Sequence, residues 1–199
     1  MHRTNIRSVL ITTNEKRAKI LNATLLLVVK QGIQATPMSQ VVKESGVAAG
    51  TIYHHFTSKE EIINELYLKL KEDFGRALNE NLGIHLTYQQ KFFQFWANLF
   101  NYFCDNEIAF HFAEQIGNCT MIKPETKLKG EVHYLPILEF FQHGIKQKVL
   151  REMELKLMTN LIYGNVITAV QLTLSGEIIM TKERLDSVMM SSWDSVVRK

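Results

Sequence analysis

TPMSQVVKESGVAAGTIYHHFTSKEEI, residues 36–62, is the stretch that decides how this chain folds. Thr36 followed by Pro37 is a helix-start signal, with the threonine as N-cap and the proline at the first helical position. Gly46 stops that helix about two turns later. The next segment, 47–56, turns Val47, Ile52 and Phe56 inward as a second short helix. Ser58-Lys59-Glu60-Glu61 then reads as a capping box, with Glu61 placed to reach back to the Ser58 amide. It launches a long helix through Ile62, Ile63, Leu66, Leu70 and Phe74, to about residue 82.

Upstream, residues 15–32 form a helix with Ile20, Leu21, Thr24, Leu25, Val28 and Val29 on one face, closed by Gly32. One medium helix and two short ones around a glycine turn make the outline of a helix-turn-helix. Helices this short are unstable alone, so the unit must pack against the first helix and the start of the fourth. Downstream the helical period continues in 87–106, 107–119, 125–148 (where Pro136 is a kink or late start), 153–176 and 181–197. There is no strand-like alternation, internal repeat or low-complexity tract, and the expected fold class is all-α.

Charge divides along the chain. Residues 1–59 carry eight Lys or Arg against two acids, a net +6, and the other 140 carry −3. A basic first third on an acidic body suits a polyanionic partner at one end. Cys104 and Cys119 have no C-x-x-C spacing and read as reduced, buried small residues. No apolar run approaches the ~18–20 residues of a membrane span. The longest, LLLVV at 25–29, is too short for a signal-peptide core. The expectation is a cytoplasmic protein with no membrane partner.

The adjacent His54 and His55 invite a metal reading, but neighbours on a helix diverge by ~100° and do not converge on one ion. No Cys, Asp or further His stands three or four residues away, as Gly50 and Ser58 show. No metal site and no cofactor is expected. Glu107, His111 and Glu114 (or Gln115) share a face and read first as an exposed charged stripe, with a ligand-pocket polar cluster or a weak metal face as the other readings. No nucleophile elbow, zinc-protease signature, phosphate-binding glycine loop or dinucleotide fingerprint occurs, so no enzyme is expected.

KILNA at 19–23, Gly32, Thr36, SGV at 45–47, GTIYHHF at 50–56 and SKEE at 58–61 carry a resemblance. Taken together these spaced positions resemble the tetracycline-repressor (TetR) family of transcriptional regulators, over about a quarter of the chain. Val42 departs from the alanine common there. The resemblance implies a three-helix DNA-binding domain with a basic N-terminal arm in residues 1–57. It also implies a helical effector-binding and dimerisation domain in 58–199. The function implied is a ligand-responsive regulator, most often a repressor, binding a palindromic operator on double-stranded DNA as a homodimer. The rival reading is a helical small-molecule sensor or carrier without operator-specific DNA binding.

Residue chemistry supports the carry-over. The recognition helix begins near Ala48, and Ala48, Ala49 and Gly50 are small enough for close backbone approach to the major groove. Thr51 donates or accepts towards a base or phosphate; Tyr53, by resemblance, aims its hydroxyl at a phosphate. His54 is the candidate for a base or phosphate contact, while His55 is expected to pack inward beside Phe56. Lys59, at the start of the fourth helix, suits a backbone phosphate, as do Thr36 and Ser39 at the start of the second. Arg3, Arg7, Lys16 and Arg17 add non-specific attraction. The resemblance also places an inducer pocket in the aromatic-rich body, for a small apolar or amphipathic effector. Its candidates are Phe95, Trp96, Phe100, Phe112, Gln115, Tyr134 and Tyr163. The helices 153–176 and 181–197 are expected to form the four-helix dimer interface.

Overall fold

A computed structural model describes residues 15–83, 85–117 and 119–199. Arg3 and Arg7 lie outside the described residues. Among the described residues ten α-helices follow one another: α1 (Glu15–Gln31), α2 (Met38–Ser45), α3 (Ala49–His55), α4 (Lys59–Leu78), α5 (Tyr88–Asp105), α6 (Glu107–Ile116), α7 (Pro124–Glu131), α8 (Leu135–Lys146), α9 (Leu155–Leu174) and α10 (Lys182–Val196). The one β pairing among the described residues is an isolated antiparallel bridge, Leu150 with Val197. The all-α expectation is met.

Several boundaries differ from the sequence reading, each for a local reason. The N-cap of α2 is Pro37, not Thr36, and no side chain caps it. Thr36 is fully buried, and its hydroxyl donates back to the Gly32 carbonyl at 2.8 Å, closing α1 rather than opening α2. At α4, Ser58 does accept from the Glu61 amide, but Glu61 reaches one residue further back than expected. Its carboxylate accepts from both the amide and the hydroxyl of Thr57, at 2.7 and 2.9 Å. The helix expected over 125–148 is broken: α7 ends at Glu131, Val132–Tyr134 make a 3-10 turn, and α8 restarts with Pro136 in its first turn. Proline lacks the N–H and collides with the carbonyl four residues back, so the helix can only begin there. α4 ends at Leu78 rather than near 82, where Asn98 of α5 donates to the Leu78 and Glu80 carbonyls at 3.1 and 2.8 Å.

The described residues form two compact units. One holds the chain up to Asp73 together with Asn106–Glu131; the other holds Phe74–Asp105 with Val132–Lys199. The chain passes between them within α4, after Asp105 and after Glu131. This division differs from a cut at 57/58, because α6 and α7 return to the helix-turn-helix unit.

In the first unit α1 packs on α2 and α6. Ile20, Leu21, Val28, Val41, Ile52, Phe56, Ile62, Ile63, Phe110 and Phe112 are buried. Each contributes about 1.5–3 kcal/mol by leaving water. Gly46 turns the chain between α2 and α3 at φ +65°, a left-handed conformation that costs a residue with a Cβ about 1–2 kcal/mol. In the second unit α5 packs on α9 and α10. Trp193 of α10 lies between 5.2 and 6.4 Å from the rings of Tyr88, Phe92 and Phe93. By length and composition α9 would be able to cross a membrane, which the sequence reading did not anticipate. It carries apolar residues on its outer side too, where Leu157 and Leu161 are 52% and 47% exposed.

Candidate nucleic-acid interface and effector site

The helix-turn-helix owes its placement to two buried residues, Ile52 within α3 and Phe56 at its C-terminal end. Both are fully buried and fix the helix from below. By helical geometry that turns the remaining positions outward. Ser39, Ala48, Ala49, Gly50, Tyr53 and His54 are exposed, and Thr51 is half-buried. Tyr53 is 54% exposed. His54 points outward with its ring edge-on to that of His55, at 5.6 Å. His55, expected to pack inward beside Phe56, is half-buried, with its ring beside that of His54. Lys59 is half-buried, and its ammonium donates to the Ile33 carbonyl at 2.8 Å. An ammonium has three donors, so the contact positions the charge without exhausting it. Thr36 stands apart from the other eight candidates as a buried side chain whose hydroxyl already serves Gly32.

Arg17, read from sequence as a source of non-specific attraction, has a different place. Its guanidinium forms a two-pronged ion pair with Glu65 of α4 and donates to the His55 carbonyl at 3.1 Å. It also lies 4.2 Å above the Phe56 ring. One α1 side chain thus joins the C-terminal end of α3 to α4, using a planar fork and a cation–π face that lysine lacks. A second joint missed in the sequence is Asn64 of α4, which is buried. Its amide donates to the Met121 carbonyl at 2.8 Å and its oxygen accepts from the Lys123 amide at 3.0 Å. Both pairings span more than forty residues of chain, and no local spacing announces them.

The seven effector candidates fall in both units. In the first, Phe112 is core, and Gln115 donates its amide to the Val28 carbonyl at 2.8 Å, tying α6 to α1. In the second, Phe95, Trp96 and Phe100 are buried, with Trp96 stacked on Phe100 at 5.8 Å. The Trp96 indole N–H is buried with no hydrogen-bond partner among the described residues. A buried donor left so costs about 1–3 kcal/mol. Tyr134 and Tyr163 both lie against Phe74, at 6.2 and 6.3 Å. His111 pairs with Glu107 and Glu114 at 3.6 and 3.1 Å on an exposed face, matching the charged-stripe reading.

A family model described as "Bacterial regulatory proteins, tetR family" matches residues 20–66. A second, "Tetracyclin repressor-like, C-terminal domain", matches residues 87–197, more than half of the chain. The chain belongs to the tetR family. A relative named "HTH-type transcriptional repressor KstR2", from Mycobacterium tuberculosis, is 34% identical over 53 residues, 27% of this chain and 26% of its own length. The chain therefore matches about a quarter of the length of such curated relatives. The solved structure of a tetR-family transcription regulator from Shewanella superposes with a TM-score of 0.84 at 23% identity, covering 92% of this chain and 99% of that one. The transcriptional regulator FadR from Bacillus subtilis, solved in complex with stearoyl-CoA, superposes with a TM-score of 0.66 at 21% identity, covering 88% and 95%. These two structures share the tetR-family fold with this chain.

Proposed function

We propose that this tetR-family chain is a cytoplasmic, homodimeric, ligand-responsive transcriptional repressor that binds a palindromic operator. The reading part is residues 1–57 and the sensing and dimerising part is 58–199. One observation carries the proposal: α3 is fixed from below by Ile52 and Phe56 and presents Ala48, Ala49, Gly50, Tyr53 and His54 outward. A short helix with a smooth, uncharged N-terminal end fits a major groove, where methyl groups meet thymine and the backbone approaches closely. Thr51 and His54 are the base-reading positions in this proposal. Tyr53, Lys59 and Ser39 hold phosphates, while Thr36, fully buried, supports the turn behind them. Dimerisation uses the outward faces of α9 and α10, where Leu157, Leu161 and Met190 are exposed. A symmetric dimer presents its two α3 helices ~34–36 Å apart, one turn of duplex.

For the effector we propose an amphipathic molecule with a long apolar part, a fatty acyl thioester in class. The buried aromatic residues Phe95, Trp96 and Phe100 support an apolar ligand, and the unpartnered Trp96 N–H suits a carbonyl acceptor. The stearoyl-CoA complex of the Bacillus subtilis regulator points the same way.

The deciding experiment is selection of bound DNA from a random pool by the purified full chain. An enriched palindrome with half-sites about one turn apart is expected, and stearoyl-CoA is expected to release it. No enrichment at low salt overturns the DNA-binding reading and leaves the rival, a helical sensor or carrier. Enrichment without release by stearoyl-CoA overturns the effector class alone.

A further inference from the structure

An open cleft of about 390 Å³ lies within the first unit, between the end of α1 and the end of α6. Its size is that of a small-molecule site. The lining comes from residues 31–35 on one side and from Gln115, Cys119 and Thr120 on the other. Of the effector candidates named above, only Gln115 borders it.

Two glutamines set its chemistry. Gln31 donates its side-chain amide to the Ala35 carbonyl at 2.5 Å and to the Gln40 side-chain oxygen at 2.6 Å. Gln115 donates to the Val28 carbonyl at 2.8 Å and, more distantly, to the Val29 carbonyl at 3.5 Å. A primary amide has two N–H donors and one oxygen acceptor. Both glutamines therefore have their donors committed within the protein, and each has an acceptor left for a ligand. Gln34 and Thr120 can donate or accept and do not discriminate. No charged side chain is among the described lining residues. α1 ends at Gln31 and α6 at Ile116, and a helix C-terminus carries partial negative charge. One lining residue already takes a primary ammonium: the Ile33 carbonyl accepts from Lys59 at 2.8 Å.

We propose that this cleft is a binding site for a primary alkylammonium, distinct from the effector site proposed in the second unit. The ammonium donates to the Gln31 and Gln115 side-chain oxygens, and its alkyl chain lies along Ile33, Ala35 and Cys119. A carboxylate of the same length meets acceptors where it needs donors. An alcohol brings one donor in place of three and no charge to set against the two helix ends.

The test is isothermal titration of the full chain at physiological salt, without DNA, so its result is independent of the operator reading. The probes are hexylamine, 1-hexanol and hexanoate, matched in chain length. Hexylamine is expected to bind at least tenfold more tightly than either of the others. Ala35→Phe places a ring in the cleft from an exposed position and is expected to weaken hexylamine tenfold or more. Gln31→Leu, also at an exposed position, removes one acceptor without filling the cleft. It is expected to weaken hexylamine fivefold or more and to leave hexanol within twofold of wild type. No binding of hexylamine by the wild type overturns the proposal, and so does equal binding of hexanol, which marks a merely apolar slot. Hexylamine affinity unchanged in Ala35→Phe places the amine elsewhere and overturns it as well. Should Ala35→Phe fail to fold, Gln31→Leu decides: an unchanged hexylamine affinity, or an equal loss for hexanol, removes the glutamine oxygens from the site.

Discussion

Tyr53 and Arg17 are both polar-tipped residues of the helix-turn-helix unit, and the structure gives them opposite duties. Tyr53 is more than half exposed and holds nothing up. Tyr53→Phe should leave the urea midpoint unchanged and weaken binding to every DNA sequence alike, by about 1 kcal/mol or roughly fivefold. Filter binding on matched and scrambled operators checks this; a loss confined to one sequence would reassign the hydroxyl from phosphate to base. Arg17 belongs to the fold. Its side chain is a third exposed, so its ion pair is partly screened, yet it also serves the His55 carbonyl and the Phe56 ring. Arg17→Ala is expected to cost about 1–3 kcal/mol of unfolding free energy. Arg17→Lys should recover less than half of that, because an ammonium lacks the fork. Urea titrations of the three proteins decide it, and full recovery by lysine would reduce the guanidinium to a simple charge.

At the scale of the element, the start of α4 is the clearest case of a signal read correctly and placed one residue off. Ser58 and Glu61 were legible because a capping box is local. Whether the carboxylate takes the Ser58 or the Thr57 amide depends on the entry angle of the chain, which spacing does not encode. The Thr57 amide and hydroxyl hold Glu61 below the usual carboxylate range. Its stabilisation is therefore complete above the ordinary carboxylate pKa and lost as pH falls through the lowered native value. Glu61→Gln should cost about 1 kcal/mol at pH 7, as for a lost helix cap, and less at an acid pH below the lowered native value. Thermal melts at both pH values test it; an equal cost at both would mean packing, not charge. The three helices before α4, the Gly46 turn and the inward set of Ile52 and Phe56 were also legible, from period and glycine. The roles of Asn64, Asn98 and Gln115 were not, since each answers to a partner distant in sequence. The 132–134 break was half legible: Pro136 announces a disturbance, and only packing decides between kink and stop.

For the whole molecule, α9 makes the sharpest demand. It is apolar beyond its buried face, and a lone chain in water has no use for exposed Leu157 and Leu161. Under the dimer proposal Leu161→Glu should convert the dimer to a monomer at micromolar concentration by light scattering. Palindrome affinity should fall with it while half-site affinity survives. A variant that stays dimeric places the interface elsewhere. The return of α6 to α1, held by Gln115 on the Val28 carbonyl, bears on how such regulators diversify. A recombination event that swaps only the first 57 codons would strand the α1 surface that α6 covers, pairing it with a sequence selected for another neighbour. Exchange of operator specificity between paralogues is then expected to succeed by point changes on the outer face of α3, or by grafts that bring residues 106–131 along. Crossovers just before α4 should be purged for poor folding before specificity is ever tried.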